Sequence, residues 1–227
     1  MKKLNLVVLS GAGISAESGL QTFRDSDGLW EGYDINEVAT ATAWHRNPSL
    51  VLEFYNMRRQ SVLEAKPNAA HLALAELEER FEVHIITQNI DDLHERGGST
   101  NVLHLHGEII KMRSEKNEAL IYPYERSIIL GDKAEDGAQL RPDIVWFEEP
   151  VPMIEYATEI VKHADLFVVI GTSLAVYPAA GLLNFAPRSI PKFIIDKKPP
   201  LAAMHGVTFI QKSATEGMKD LKSLLLS

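Results

Sequence analysis

Two histidines separated by one residue are the side chains in this sequence best suited to acid–base chemistry. They lie in the segment LHLHGEI, residues 103–109. Successive side chains of an extended strand point to opposite faces, so His104 and His106 share one face of the strand. An imidazole titrates near neutral pH and can act as a general base, bind a metal ion or form part of a packed polar edge. A His-x-His metal pair needs further ligands, and no other histidine stands at a suitable spacing.

The composition excludes several other kinds of chemistry. The chain has 227 residues and no cysteine, so disulfides, thiolate metal sites and a thiol nucleophile are ruled out. Its length and its 45% hydrophobic residues are typical of one large globular domain, alone or with a small insertion. The net charge is −8 and the basic residues form no stripe, so nucleic acid is not an expected partner. A locally basic pocket for an anionic cofactor is still compatible with this charge.

No segment resembles a membrane span or a signal peptide. The apolar part of the N-terminus, residues 4–9, is short and contains Asn5. No run approaches the ~18 apolar residues that a membrane-spanning helix needs. We therefore expect a soluble, cytoplasmic protein without a membrane partner, and we leave its oligomeric state open.

The elements that position the histidines follow from the pattern of apolar runs. Six short runs predict buried strands at residues 4–9, 81–87, 101–106, 166–172, 192–196 and 207–211. Helical patterns lie between them, among others at residues 48–63, 69–79 and 152–164. This alternation predicts an α/β fold with a Rossmann-like, open parallel sheet. A mostly helical segment, about 25–75, and a polar, turn-rich segment, about 109–141, interrupt the alternation. Both follow carboxyl ends of strands, where ligands gather, so we expect them to form a small second lobe facing the site.

The loop after the first predicted strand has the composition of a phosphate-binding turn. Its sequence is GAGISAESGLQTFRD, residues 11–25. Small residues after a strand let backbone amides approach a pyrophosphate at a helix N-terminus, although a tight turn alone also explains a lone G-x-G. The dehydrogenase fingerprint is not met, because its third glycine falls at Ala16 and no second strand ends ~20 residues later. The loop therefore indicates dinucleotide binding without dehydrogenase architecture.

Four motifs in order, GAGISAESGLQTFRD, TQNIDDLHERGG, LHLHGE and GTSLAVYPAA, resemble those of the sirtuins, which are NAD-dependent protein lysine deacylases. The resemblance extends from Gly11 to about Ala214. It implies NAD as the cofactor, acylated lysines of proteins or peptides as substrates, and nicotinamide and O-acyl-ADP-ribose as products. We assign a large NAD-binding lobe to about 1–30, 76–108 and 142–227, and a small lobe to about 31–75 and 109–141.

The resemblance also implies roles for individual residues. It makes His106 the general base and leaves His104 a structural residue. Asn89 and Asp91 are expected to take part in catalysis, Asn89 with Gln88 at ribose hydroxyls and Asp91 at the nicotinamide carboxamide. The other expected NAD contacts, each of which is also compatible with a plain turn residue, are Gly11, Ala12, Gly13, Ile14, Ala16, Glu17, Phe23, Arg24, Trp30, Ile90, Gly171, Thr172, Ser173, Asp196 and Ala214.

The helix predicted at residues 48–63 suggests which acyl groups are removed. At about 100° per residue, Arg58 lies within the apolar stripe of this helix and Arg59 points away from it. An arginine on the buried side needs an anion, which is either an internal carboxylate or a ligand. Tyr55 and Arg58 resemble the Tyr-x-x-Arg pattern of sirtuins that remove succinyl and malonyl groups, and Ala43 matches the small residue that widens their acyl pocket. Arginine can bind the acyl carboxylate through a bidentate pair, so we expect these groups to be removed as well as acetyl.

Two departures from the family concern the small lobe and the peptide site. In the segment RPDIVWFEEP, Val145, Trp146 and Phe147 match a clamp that pairs with an extended substrate peptide. Glu148 stands where this clamp usually has glycine, so a side chain is expected beside the peptide. Most sirtuins also bind a structural zinc ion through four cysteines in the small lobe. This chain has none, so we expect a degenerate zinc module, no bound metal, and a lobe held together by packing.

Two other functions are compatible with the same scaffold. One is a protein ADP-ribosyltransferase, and the other is an NAD-binding module without catalytic activity. The presence of His106 and of the acyl pocket argues against the first. The presence of every expected catalytic residue argues against the second. An NAD-dependent lysine deacylase is therefore the leading hypothesis.

Overall fold

The computed structural model describes residues 2–22, 29–124, 126–199 and 206–226. The strands are β1 (Asn5–Ser10), β2 (Leu29–Trp30), β3 (Tyr33–Asp34), β4 (Glu82–Thr87), β5 (Val102–His104), β6 (Gly107–Ser114), β7 (Ile121–Pro123), β8 (Leu140–Ile144), β9 (Leu166–Ile170), β10 (Lys192–Ile195) and β11 (Val207–Ile210). The helices are α1 (Ile35–Val38), α2 (Ala41–Arg46), α3 (Pro48–Glu64), α4 (Ala69–Leu77), α5 (Leu93–Arg96), α6 (Ile154–Lys162) and α7 (Ala214–Leu226). Short 3-10 helices occupy Ala12–Ile14, Ala16–Ser18 and Ala179–Phe185. Within these described ranges, no helix has the length and apolar character that crossing a membrane requires.

The central sheet has six parallel strands in the order β11-β10-β9-β1-β4-β5. All six strands predicted from the apolar runs belong to it, so the predicted α/β fold with a Rossmann-like parallel sheet is confirmed. The direction of chain progression reverses between the neighbouring strands β1 and β9, and ligand sites of open α/β sheets lie at such a reversal.

Apolar clusters cover both faces of this sheet. Leu6 and Val8 of β1 pack on one face with residues of α4 and α7. Val7 and Leu9 pack on the other face with residues of α6 and of the 179–185 segment. Because successive side chains of β1 alternate between two buried faces, its sequence is a continuous apolar run, as central parallel strands require.

A third apolar cluster lies beside the parallel sheet and joins two distant segments of the chain. Phe54 and Tyr55 of α3 pack there with Ile109 of β6 and Ile144 of β8. The segment expected to be polar and turn-rich contains an antiparallel sheet in the order β7-β6-β8. Its strands were not predicted because they carry charged residues and, in β8, Pro142, which a central parallel strand would exclude. The lobe boundaries themselves stay a prediction.

The prediction that Arg59 points away from the core is wrong. Its side chain is buried, donates a hydrogen bond to the carbonyl oxygen of Tyr124, and lies 4.3 Å from the centre of the Tyr124 ring. Neighbouring Asn56 donates to the carbonyl of Ile128 at 2.8 Å and accepts from the Ile128 N–H at 3.0 Å. Tyr124 and Ile128 thus cover the side of α3 that helical periodicity assigned to solvent.

An ion pair between a buried arginine and a partly buried glutamate links β8 to the loop that follows it. The Arg141 guanidinium donates to both carboxylate oxygens of Glu149, at 2.6 and 3.0 Å, and to the Ile144 carbonyl at 3.0 Å. It also stacks 3.4 Å from the centre of the Trp146 ring, and Glu149 accepts the Trp146 N–H at 2.8 Å. This pair orients the segment that contains the predicted peptide clamp.

We expect Arg141→Met to lower the free energy of unfolding by about 3 kcal/mol, because it removes the bidentate partner of the partly buried Glu149 and leaves that carboxylate with Arg113, 4.0 Å away, as its cation. Urea denaturation of both proteins measures the loss. Arg126→Met is the control, since Arg126 forms its ion pair with Asp132 at the surface. An equal loss in the two variants would show that the Arg141 pair has no special role.

Candidate active site

A cavity of about 390 Å³ lies where β1, β4, β9 and β10 end. Most predicted site residues line it, namely Gly11, Ala12, Gly13, Ala16, Trp30, Tyr55, Arg58, Gln88, Asn89, Ile90, Asp91, His106, Val145, Trp146, Phe147, Gly171, Thr172, Ser173, Asp196 and Ala214. These residues come from segments far apart in the chain, and the parallel sheet collects them because its strands end at one edge.

Five predicted site residues are not on this lining. Phe23 and Arg24 lie outside the described residues. Ile14 and Ala43 are completely buried in the apolar clusters, so they support the walls of the cavity from behind. The Glu17 carboxylate accepts hydrogen bonds from the N–H and hydroxyl of Thr215, at 3.0 and 2.7 Å, and so caps the start of α7.

The glycine loop rests against the end of β9. The Gly13 N–H donates to the Gly171 carbonyl at 2.8 Å, and a Cβ on Gly13 would lie 2.7 Å from the Gly171 Cα. Gly171 has a φ of +65°, which disfavours any side chain there. The helix N-terminus expected after this loop is absent from the described residues, where two 3-10 turns follow instead. The glycines are therefore required first for contact between two loops of the protein.

Ser15 connects the two polar residues that follow β4. Its hydroxyl donates to the Asp91 carboxylate at 3.0 Å and accepts from the Asn89 side-chain amide at 3.1 Å. The Leu93 N–H also donates to Asp91, at 3.2 Å. Burial raises the pKa of Asp91, and the hydrogen bonds from Leu93 and Ser15 oppose that rise. Ser15 is not among the predicted site residues, because a serine inside a glycine-rich loop has the signature of a turn residue.

The two histidines turn toward the same stretch of backbone. The Nδ1–H of His104 donates to the Asn89 carbonyl at 3.1 Å, and that of His106 donates to the Gln88 carbonyl at 2.9 Å. Because a carbonyl only accepts, Nδ1 carries a proton in both rings. Strand β5 spans Val102–His104, so the predicted strand 101–106 extended two residues too far at its carboxyl end and one at its amino end. Gly107 follows with a φ of +74°, and a Cβ there would collide with the Asp143 carbonyl.

The environments of the two imidazoles differ. Burial lowers the pKa of His106, so its Nε2 is an unprotonated acceptor at neutral pH, in a residue that lines the cavity. Burial also lowers the pKa of His104, but the Glu95 carboxylate, 2.8 Å from Nε2, outweighs it and raises the pKa. His104 is thus held at both nitrogens. Across the described ranges, no three His, Asp or Glu side chains are grouped as a metal site.

Lysines flank the cavity at its Asp196 end. Asp196 follows β10 and accepts the Lys198 N–H at 2.9 Å. Lys197, Lys198 and Lys212 line the same part of the cavity. An acidic protein therefore has locally cationic walls here, which suit an anionic ligand such as a dinucleotide. In the sequence, the Lys-Lys pair directly after the predicted strand 192–196 indicates this cationic part of the cavity wall.

The lining of the same cavity also contains the residues of the predicted acyl pocket. Tyr55 and Arg58 are buried residues of α3, and the Arg58 guanidinium lies 4.8 Å from the centre of the Trp30 ring. Arg58 also donates to the carboxylate of Glu31, in the turn between β2 and β3. The internal ion pair considered as the alternative role of Arg58 therefore exists, although Arg58 also lines the cavity.

The predicted peptide clamp is joined to α2. The Phe147 N–H donates to the Ala39 carbonyl at 3.0 Å, and the Phe147 carbonyl accepts the Ala41 N–H at 3.2 Å. The Glu148 carboxylate accepts the N–H and hydroxyl of Thr42, at 2.9 and 2.8 Å. The side chain expected to stand beside the peptide is therefore bound to the first turn of α2.

Comparison with known proteins gives consistent matches. A family model described as the Sir2 family matches residues 11–178. A Helicobacter pylori (strain ATCC 700392 / 26695) protein named NAD-dependent protein deacylase is 55% identical over 223 residues, covering 98% of this chain and 97% of its own. A protein of the same name from Bacteroides thetaiotaomicron is 52% identical over 229 residues, covering 98% of each chain. The solved complex of a Sir2 homologue with NAD matches at 37% identity with a TM-score of 0.87, covering 99% of this chain and 90% of its own.

The pKa of each histidine can be measured by NMR titration of the imidazole resonances. Because burial disfavours the charged ring of His106, its midpoint should fall below the ordinary value of 6.5. His104 should titrate above 6.5, since Glu95 stabilises its charged form. In Glu95→Gln the titration midpoint of His104 should fall, and the titration midpoint of His106 should be unchanged. A His106 midpoint above 6.5 would contradict its assignment as the unprotonated base.

Proposed function

The chain belongs to the Sir2 family, and from this premise we propose that it removes succinyl and malonyl groups, as well as acetyl, from protein lysine side chains. The reaction is NAD-dependent deacylation, the activity for which the Helicobacter and Bacteroides relatives are named. The observation that carries the acyl preference is the pair Tyr55 and Arg58, buried on the wall of the cavity that also contains His106.

The residues along the cavity fit NAD. The contact between Gly13 and Gly171 leaves a loop without bulky side chains beside the cationic Lys197 and Lys198, which suits a pyrophosphate. Asp196 can accept from ribose hydroxyls at the adenosine end. At the other end, Gln88, Asn89 and Asp91 offer polar atoms for the nicotinamide ribose and its carboxamide. A buried carboxyl such as Asp91 is costly unless a ligand or protein group satisfies it.

NAD, when bound, would supply the C1′ carbon of its nicotinamide ribose, at which the acyl oxygen displaces nicotinamide. Transfer of the acyl group to a ribose hydroxyl, with one water consumed as the lysine amide is cleaved, would give free lysine and O-acyl-ADP-ribose. His106 acts at the ribose hydroxyl, whose proton its unprotonated Nε2 can accept. The hydrogen bond from Nδ1 to Gln88 holds the ring in the tautomer that this step needs. General-base catalysis of this kind contributes roughly 10²–10⁴-fold to a rate.

The acyl pocket combines an aromatic wall with a fixed positive charge. Trp30 and Trp146 are buried and suit the methylene groups of an acyl chain. The planar guanidinium of Arg58 can bind a carboxylate through two hydrogen bonds, and the Tyr55 hydroxyl can add a third. Each charge-assisted hydrogen bond is worth ~1.5–3 kcal/mol net. An acyl group that ends in a methyl group lacks these bonds.

The proposed activity is tested by incubating the protein with NAD and peptides that carry acetyl-, malonyl- or succinyl-lysine. We expect O-acyl-ADP-ribose from all three, with higher kcat/KM for the two acidic groups. Transfer of labelled ADP-ribose to protein would instead indicate a transferase, and bound but uncleaved NAD would indicate a binding module.

The role of Arg58 is tested with Arg58→Met. We expect desuccinylation to lose at least about ten-fold more kcat/KM than deacetylation, the scale of one charge-assisted hydrogen bond. Arg59→Met is a matched control, because it removes a buried charge from the same helix on the side that contacts Tyr124. It should lower both activities to the same degree. Equal losses in Arg58→Met would refute the pocket assignment.

A further inference from the structure

The carboxylate that pairs with Arg58 belongs to a tight turn. Glu31 and Gly32 connect the two-residue strands β2 and β3, with φ angles of +52° and +85°. The Glu31 side chain keeps 19% of its surface exposed, compared with 6% for Arg58. A Cβ on Gly32 would meet no atom within 4 Å among the described residues, so the turn borders open space. The pair therefore joins a buried cation to a carboxylate that reaches solvent.

The pair uses only part of the guanidinium. In the described ranges Nη1 of Arg58 bonds one Glu31 oxygen, while Nε is buried without a partner. The structural pair in this protein is different, since Arg141 binds both oxygens of Glu149. Arginine offers five N–H donors, and a carboxylate is bound best through two of them. Glu31 thus neutralises the charge of Arg58, but the guanidinium is still able to bind a carboxylate through two parallel hydrogen bonds.

We propose that Glu31 is a resident competitor for the anion site at Arg58 and thereby sets the balance between acidic and neutral acyl groups. This inference rests on the proposed acyl specificity. With acetyl-lysine bound, the Arg58–Glu31 pair stays intact and no buried charge is left alone. With a succinyl or malonyl group bound, the acyl carboxylate takes the place of Glu31 on Arg58. The displaced Glu31 carboxylate turns to water, which its position in the exposed turn allows.

Competition of this kind lowers the affinity for acidic acyl groups without abolishing it. For a ligand that must displace a protein carboxylate, the net binding free energy is the difference between the free energy of its own bonds to Arg58 and that of the Glu31 bonds it replaces. Glu31 also keeps the pocket favourable for neutral acyl groups, since a neutral chain finds Arg58 already neutralised. Glu31 is thus a specificity-determining residue that acts through Arg58.

The test compares wild type with Glu31→Gln, which keeps the shape of the side chain and removes its charge. We expect the KM for a succinyl-lysine peptide to fall and the succinyl-to-acetyl ratio of kcat/KM to rise about five-fold, the scale of one partly exposed ion pair. Glu37→Gln, at an exposed position of α1, should leave the ratio unchanged. In an Arg58→Met background, Glu31→Gln should have no further effect on the ratio, because the competitor then has no site.

If the succinyl-to-acetyl ratio of kcat/KM is unchanged or lower in Glu31→Gln, the competitor role is overturned. The proposed function still stands in that case if Arg58→Met loses more desuccinylation than deacetylation. If wild type lacks desuccinylase activity, its appearance in Glu31→Gln would support the competitor role and refute the native preference. If neither wild type nor Glu31→Gln removes succinyl groups, the competitor role and the proposed acyl preference are both overturned. Glu31→Asn provides a second uncharged variant if Glu31→Gln fails to fold, since asparagine tolerates a positive φ.

Discussion

The site depends on one backbone contact, between the loop after β1 and the end of β9. The two strands adjoin in the sheet but stand far apart in the chain, and their loops meet where Gly13 donates to Gly171. A side chain on either residue would separate the loops. Once they are joined, the segments that follow β1, β4 and β9 share a single crevice. The cavity, with its polar residues and its cationic end, forms only because the two loops lie in contact.

Burial of polar groups at this edge of the sheet is balanced almost completely by internal partners. Ser15 serves both Asn89 and Asp91, and His104 is held between a carbonyl and Glu95. His106 differs from these residues, because its Nδ1 is bound to a carbonyl while its Nε2 stays an unprotonated acceptor in a residue that lines the cavity.

The parallel sheet was predictable from sequence, because strands buried on two faces must be continuous apolar runs. The strands β6, β7 and β8 were not, since they carry a proline and charged residues, among them the buried Arg141, which its pair with Glu149 accommodates. Arg59 was misjudged for a related reason: periodicity describes one helix, and the chain near Tyr124 covers a second side of α3. At the site, most of the predicted motif residues line one cavity and their roles stay predictions, whereas Ser15, Lys197 and the Glu31 partner of Arg58 were not predicted because they depend on contacts between segments.

Because Glu17 caps the start of α7, the crevice is complete only after the last helix of the chain has been synthesised. Residues 11–18 leave the ribosome early, but their partner Thr215 is made almost two hundred residues later. Until then the Glu17 carboxylate lacks the N–H and hydroxyl that hold it, and Ala214 is missing from the cavity wall. A nascent chain can therefore form the start of its sheet long before it can hold a dinucleotide. Ribosome-bound intermediates of this protein would be structured in part, yet unable to consume the cofactor.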